Sequence, residues 1–114
     1  AYAALAPQAD SGPDVAGMLR RANALVALDP ANARALMVRG KLLFRAGRLA
    51  EARADLEAAL REAPFENQAR YGLAVILEKE GNIPAAVSQW QRFLETEPGN
   101  AAVAARLAAL QQRR

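Results

Sequence analysis

Apolar residues recur along most of the chain at three- and four-residue intervals with polar residues between them, the spacing of helices that bury one face. Val15, Met18, Leu19, Ala22, Leu25 and Val26 form one such face over residues 14–28. The same spacing predicts helices at about 33–46, 49–62, 67–80, 83–96 and 101–112. The punctuation agrees with these bounds. Gly47 and Gly81 stand where a left-handed residue closes a helix. Asn32 and Asn100 are good N-caps, and Pro84 falls at a helix start, where its missing N–H costs nothing. Pro64 and Pro98 end the helices before them.

The pattern also repeats. Pro30, Pro64 and Pro98 are spaced 34 residues apart, and so are Gly47 and Gly81, Ala52 and Ala86, Leu56 and Trp90, Ala59 and Phe93, and Leu60 and Leu94. A 34-residue period with two helices per unit resembles the tetratricopeptide repeat (TPR) family. One full repeat spans 33–66 and supplies the small, large and proline positions through Leu36, Gly40, Leu43, Ala52, Leu56, Ala59 and Pro64. A second spans 67–100 and supplies Leu73, Ala74, Leu77, Ala86, Trp90 and Pro98. Departures are Arg39 where the family has Leu, Arg70 in the slot favouring Trp, and Phe93 in place of a small Ala.

The resemblance implies an all-α, right-handed α-solenoid of helix hairpins forming a single domain over residues 1–114. Small residues (Gly40, Ala52, Ala74, Ala86) let paired helices approach closely, while Leu43, Leu56, Leu60, Leu77, Trp90 and Leu94 fill the space between units. Residues 1–32 read as a degenerate repeat: Tyr2, Leu5 and Ala6 fall on repeat positions, Pro7 interrupts the first helix, and a loop follows over 8–13. Ser11 and Asp14 have the spacing of a capping box. Residues 101–114 read as a cap helix, with Val103, Leu107 and Leu110 inward and Arg106, Gln112, Arg113 and Arg114 exposed.

Composition narrows the function. The 114 residues include 29 Ala and 15 Leu but no Cys and no His, so disulfides, thiolate nucleophiles and the common zinc sites are excluded. Ser occurs only at 11 and 88 and Thr only at 96, which leaves no Ser-His-Asp constellation. Carboxylate pairs such as Glu78/Glu80 and Glu95/Glu97 lie two apart on a helix and do not converge. The expectation is a protein that is not an enzyme and needs no cofactor or metal. Net charge is +3, few aromatics accompany the basic residues and no apolar run reaches the roughly 20 residues of a membrane span. Neither nucleic acid nor membrane is the expected partner. Ala1 in place of an initiator Met predicts a processed form or an excised domain.

In the resembled family the first helix of each pair lines a concave groove. Carried over residue by residue, its positions are Arg34, Met37, Lys41, Phe44 and Arg45, then Gln68, Tyr71, Val75, Glu78 and Lys79, and in the cap helix Ala102, Ala105, Ala109, Gln112 and Arg113. Residues 33–50 hold five basic side chains (Arg34, Arg39, Lys41, Arg45, Arg48) and no acidic one, whereas Glu51, Asp55, Glu57 and Glu62 crowd the next helix. The expected groove is apolar and basic. The expected ligand is an apolar peptide with acidic residues or a free C-terminus, held by Arg34, Met37, Lys41, Phe44, Arg45, Gln68, Tyr71, Val75 and Lys79. Asp55 and Glu57 are expected to be outer-face charges of little consequence for binding. Trp90 is expected in the core.

A narrower resemblance rests on the Tyr2-to-Ala6 stretch, on Arg21 to Pro30, and on Ala85 to Leu94. It is similar to the C-terminal TPR domain of bacterial c-type cytochrome maturation factors, which implies a periplasmic chaperone holding the apocytochrome C-terminus; otherwise the cytoplasm is expected. The alternative is an adaptor module of a larger protein, or self-assembly through the solenoid end faces, with the chain otherwise a monomer or weak homo-oligomer.

Overall fold

The computed structural model describes residues 14–112, which form six α-helices and no strand. They are α1 (Val15–Leu28), α2 (Ala33–Arg45), α3 (Leu49–Glu62), α4 (Asn67–Lys79), α5 (Ile83–Thr96) and α6 (Ala101–Gln111). The readings made for Tyr2, Leu5, Ala6, Pro7, Ser11, the 8–13 loop, Arg113 and Arg114 lie outside the described residues. Each helix packs on the next in sequence; out of order, α4 packs on α2 and also meets α6 through Glu78 and Arg106. The result is an all-α solenoid, a row of helix hairpins 53 Å long.

Local chemistry sets the helix ends. Asn32, Asn82 and Asn100 each accept, through the side chain, the backbone N–H three residues on, at 3.0, 3.4 and 3.0 Å. Asp14 does the same for Gly17 at 2.9 Å, so it is the N-cap of α1. Gly47 and Gly81, each at φ 80°, follow α2 and α4 in the left-handed region that a side chain would strain. The N–H of the residue after each then reaches back to Leu43 and Leu77 at 2.9 Å. That bond pattern turns the chain sharply enough to lay α3 along α2 and α5 along α4.

The spacing of the paired helices depends on small residues. A Cβ on Gly40 would lie 2.9 Å from Leu56 Cγ and Cδ2 and 3.3 Å from the Ala52 carbonyl. Ala52, Ala59, Ala74 and Ala86 are wholly buried. Leu56 also meets α4, where a Cβ on Gly72 would stand 3.0 Å from its Cδ1, so this one side chain is wedged between two glycines on the first helices of both hairpins. Trp90 is the largest fully buried side chain and stands one period after Leu56. It does the same filling job between α4, α5 and α6 with a larger volume.

Asp55 is not an outer-face charge. It is buried, and Arg39 grips it in a bidentate pair, Nε to Oδ2 at 2.6 Å and Nη2 to Oδ1 at 2.8 Å. Arg39 also donates to Asn23 Oδ1 at 3.3 Å, so one guanidinium ties α1, α2 and α3 together where the family places a leucine. The hydrogen bond to Asp55 outweighs burial and holds the Arg39 pKa above its usual value.

Two stability outcomes follow for urea unfolding monitored by circular dichroism. Ala52→Leu or Ala86→Leu should cost about 1–3 kcal/mol through overpacking. Asp55→Asn should cost about 1–3 kcal/mol, less than a fully buried pair would lose because a quarter of the Arg39 side chain still meets water. Glu57→Gln should change the midpoint little, and equal losses at positions 55 and 57 would contradict this geometry.

Candidate functional site

A cavity of about 580 Å3 opens between α2 and α4. Its α2 wall is Lys41, Phe44 and Arg45, and its α4 wall includes Gln68, Tyr71 and Val75. Leu56 and Ile76, both buried, make the floor. Phe93 and Glu97 close the end nearest the C-terminus of α5. Positions three, four and seven apart on a helix share a face, which is why 41, 44 and 45 on α2 and 68, 71, 72 and 75 on α4 point into one space.

Lys41 and Arg45, one turn apart on α2, are the cations of this lining. Lys41 Nζ donates to Gln68 Oε1 at 2.9 Å, across the cavity from α2 to α4. Lys79 Nζ lies 5.9 Å from the Phe44 ring centroid, a cation–π contact between the same two helices. Arg45 is exposed. Asn67 Nδ2 donates to Glu97 Oε2 at 2.8 Å and to Thr96 Oγ1, leaving Asn67 Oδ1 buried with no donor among the described residues. The groove thus sets cations of α2 and a carboxylate near the start of α4 around an apolar floor.

Tyr71 forms the apolar middle. It is 43% exposed, and its buried edge packs T-shaped on Trp90 at 5.0 Å and on Phe93 at 6.1 Å between centroids. Trp90 Nε1 donates to Glu78 Oε2 at 2.7 Å; Arg106 Nε donates to the same oxygen at 2.7 Å and lies 5.3 Å from the indole ring. Glu78 therefore turns inward to satisfy the core tryptophan and hold α6, rather than lining the groove. The Glu78 hydrogen bond raises the Arg106 pKa.

Of the residues expected to meet a ligand, Lys41, Phe44, Arg45, Gln68, Tyr71 and Val75 line this cavity. Lys79 sits beside it over Phe44. Arg34 is exposed on the first turn of α2 but is not part of the lining. Met37 is a correction: it shares the face of Lys41 and Phe44 at spacings of four and seven, yet at 2% exposure it is covered and belongs to the core. Two of the five basic residues of 33–50 are also spent elsewhere, Arg39 on Asp55 and Arg48 on Glu51 at 2.7 Å. Sequence reasoning missed Asn67, Gly72, Phe93 and Glu97. The signal available was Phe93 in place of the family's small alanine, which brings a ring from the second helix up to the groove. Among the described residues no cluster of carboxylates could hold a metal ion, and no helix is long and apolar enough to cross a membrane.

Comparison with known proteins agrees with this architecture. The family profile described as "Tetratricopeptide repeat" matches residues 19–67 and again 47–101, well over half the chain. Among solved structures, the Arabidopsis OM64 TPR domain is 17% identical with a TM-score of 0.83, over 95% of this chain and 89% of that one. The first TPR of Spaghetti (RPAP3), bound to an HSP90 peptide SRMEEVD, is 21% identical with a TM-score of 0.75, over 82% and 76%. The second TPR domain of human RPAP3, in complex with an HSP70 peptide SGPTIEEVD, is 20% identical with a TM-score of 0.75, over 83% and 79%. The chain spans about half of the MamA chains it also matches (50% and 54%). No curated protein sequence matches it significantly.

The single tryptophan makes the Glu78–Trp90–Arg106 cluster observable. Arg106→Ala should shift Trp90 emission and lower stability by about 0.5–1.5 kcal/mol, since the pair is partly exposed and its cation–π contact modest. An unchanged spectrum would mean that α6 does not depend on this contact.

Proposed function

The chain belongs to the tetratricopeptide-repeat family, and from that premise we propose that it is a protein-interaction module whose α2–α4 groove binds a peptide segment of a partner protein. In this reading 33–66 and 67–100 act as full repeats, 1–32 as a degenerate one and 101–114 as a cap. The observation that carries it is the cavity that sets Lys41 and Arg45 beside Phe44, Tyr71 and Val75. Lys41 and Arg45 attract a carboxylate, and the half-exposed Tyr71 ring offers flat apolar area at small entropic cost.

The ligand chemistry follows from the same geometry. A peptide with an acidic side chain or free C-terminus near Lys41 and Arg45, and an apolar residue over Tyr71 and Val75, fits the groove. The peptides held by the two RPAP3 domains end in Glu-Glu-Val-Asp, which combines these two features and supports the reading. Glu97 disfavours a second carboxylate beside it and suits a backbone or side-chain N–H donor. Lys79, held over Phe44, and Gln68, held by Lys41, order the groove walls, while Arg34 acts at longer range through its charge. An apocytochrome C-terminal segment is the narrower form of this ligand, implied by the sequence resemblance to cytochrome maturation factors. A panel of such segments beside unrelated acidic peptides decides between the narrow and the general form.

The groove carries no catalytic constellation in this reading, and recognition is the whole task. The rival, self-association, draws on Leu25 and Leu28 of α1, the latter 83% exposed. Sedimentation over a hundredfold concentration range should return a monomer; a rising mass would favour the rival.

Binding to acidic peptides tests the groove directly. Lys41→Ala with Arg45→Ala should leave the helical spectrum intact, weaken binding about tenfold or more and remove most of its salt dependence. Tyr71→Ala should weaken binding with the salt dependence preserved. Because Tyr71 lies edge-on to Trp90, ligand binding should change Trp90 emission in the native protein and not in Tyr71→Ala. A double variant that binds as well as the native chain would overturn the reading.

A further inference from the structure

A second polar cavity lies on α4 and α5 away from the groove, and at its base is Arg70. Its side chain stands where the family's repeat favours tryptophan, and the residue is only 7% exposed. Nη2 donates to the Pro64 carbonyl at 2.6 Å and Nη1 to Gln89 Oε1 at 2.8 Å. Both partners are neutral. Among the described residues no carboxylate lies within ion-pair distance of Arg70.

The contrast with Arg39 defines what is missing. Asp55 and Gln89 are one 34-residue period apart, so Arg39 and Arg70 reach from different turns of their helices to the same position on the next one. Arg39 finds a carboxylate there and Arg70 finds an amide. A guanidinium drawn into the protein without a counter-ion bears the cost of lost hydration, and an uncompensated charge of this kind is rare. Burial lowers the Arg70 pKa, the charge of Arg92 adds to that, and Glu95 opposes it.

The space in front of Arg70 is built to be filled. A cavity of about 240 Å3 is lined by Pro64, Phe65, Arg70, Arg92, Glu95 and Thr96. Its two guanidiniums against one carboxylate leave a net positive charge. Phe65, on the turn between α3 and α4, is 81% exposed and forms the rim. A large ring left in water beside a cavity of net positive charge, whose buried guanidinium makes no ion pair, matches a partner that presents an acidic and an apolar side chain together.

We propose that Arg70, Arg92 and Phe65 form a second protein-docking site, independent of the groove, which receives an Asp or Glu side chain of a partner protein with an adjoining apolar residue against Phe65. The carboxylate enters the cavity and accepts from the remaining Arg70 and Arg92 N–H donors, giving Arg70 the counter-ion that Asp55 gives Arg39. Two sites on one small solenoid let it hold two points of one partner, or two partners at once.

The probe is acetyl-Phe-Glu-amide, which has no terminal charges, with acetyl-Phe-Gln-amide as its neutral match, titrated into the full chain and followed by proton–nitrogen correlation spectra covering arginine Nε–H groups. The expected result is a saturable shift of the Arg70 and Arg92 Nε–H signals and of the Phe65 amide, with at least about fivefold weaker binding of the Gln peptide. Arg92→Gln, an exposed change that spares the buried contacts of Arg70, should weaken the effect about threefold or more, and Phe65→Ala should do likewise. Lys41→Ala with Arg45→Ala should leave it unchanged, which separates this site from the groove. Equal shifts with both peptides, no effect of Arg92→Gln, or shifts that vanish with the groove variant would each overturn the proposal.

Discussion

The close approach of paired helices is the constraint on which the rest of this molecule depends. α3 can lie along α2 only because Gly40 has no side chain to meet Leu56, and because Ala52 presents a single methyl at the crossing. That proximity sets the tilt of the hairpin, and the tilt sets where α4 falls. Leu56, caught between Gly40 and Gly72, then fixes the separation of the two first helices from below. The groove is the space left over above it. Its width is thus decided by residues that a ligand would never touch.

Polar departures from the repeat pattern are used in different ways along the same scaffold. Arg39 replaces a core leucine and becomes a three-helix tie, because Asp55 and Asn23 both lie within reach. Arg70 replaces a core tryptophan and gains only neutral partners. Glu78, at a position expected to face the groove, turns to the core because Trp90 needs an acceptor for its indole N–H and Arg106 needs an anion. In each case a buried polar group dictates the rotamer of its neighbour, since leaving it unsatisfied costs more than any surface contact returns.

Helix boundaries and the repeating core were legible in the sequence because they follow from local rules and from a period. Asparagine caps, the two left-handed glycines and the prolines act within a few residues, and the 34-residue recurrence marks the positions that meet between units. Two thirds of the expected groove residues also came together, for the reason that a helix face is a matter of spacing alone. Met37 did not: spacing puts it on that same face, but packing covers it and it joins the core.

What tertiary structure decided is which charges are free. In one dimension Arg39, Arg48, Lys41 and Arg45 are four equivalent cations, and Asp55 and Glu57 two equivalent anions. Folded, Arg39 and Asp55 are consumed by each other, Arg48 by Glu51, and Lys41 and Arg45 remain beside the cavity. Likewise Asn67, Phe93 and Glu97 join the site from α4 and from the end of α5, which no spacing along one helix relates. The sequence by itself determined the helices and their order, because those depend on neighbours a few residues away. Apart from the local Arg48–Glu51 pair, the pairing of charges and the floor of the groove depend on side chains that meet across about 16 to 30 positions of chain, and only the packed hairpins bring those together.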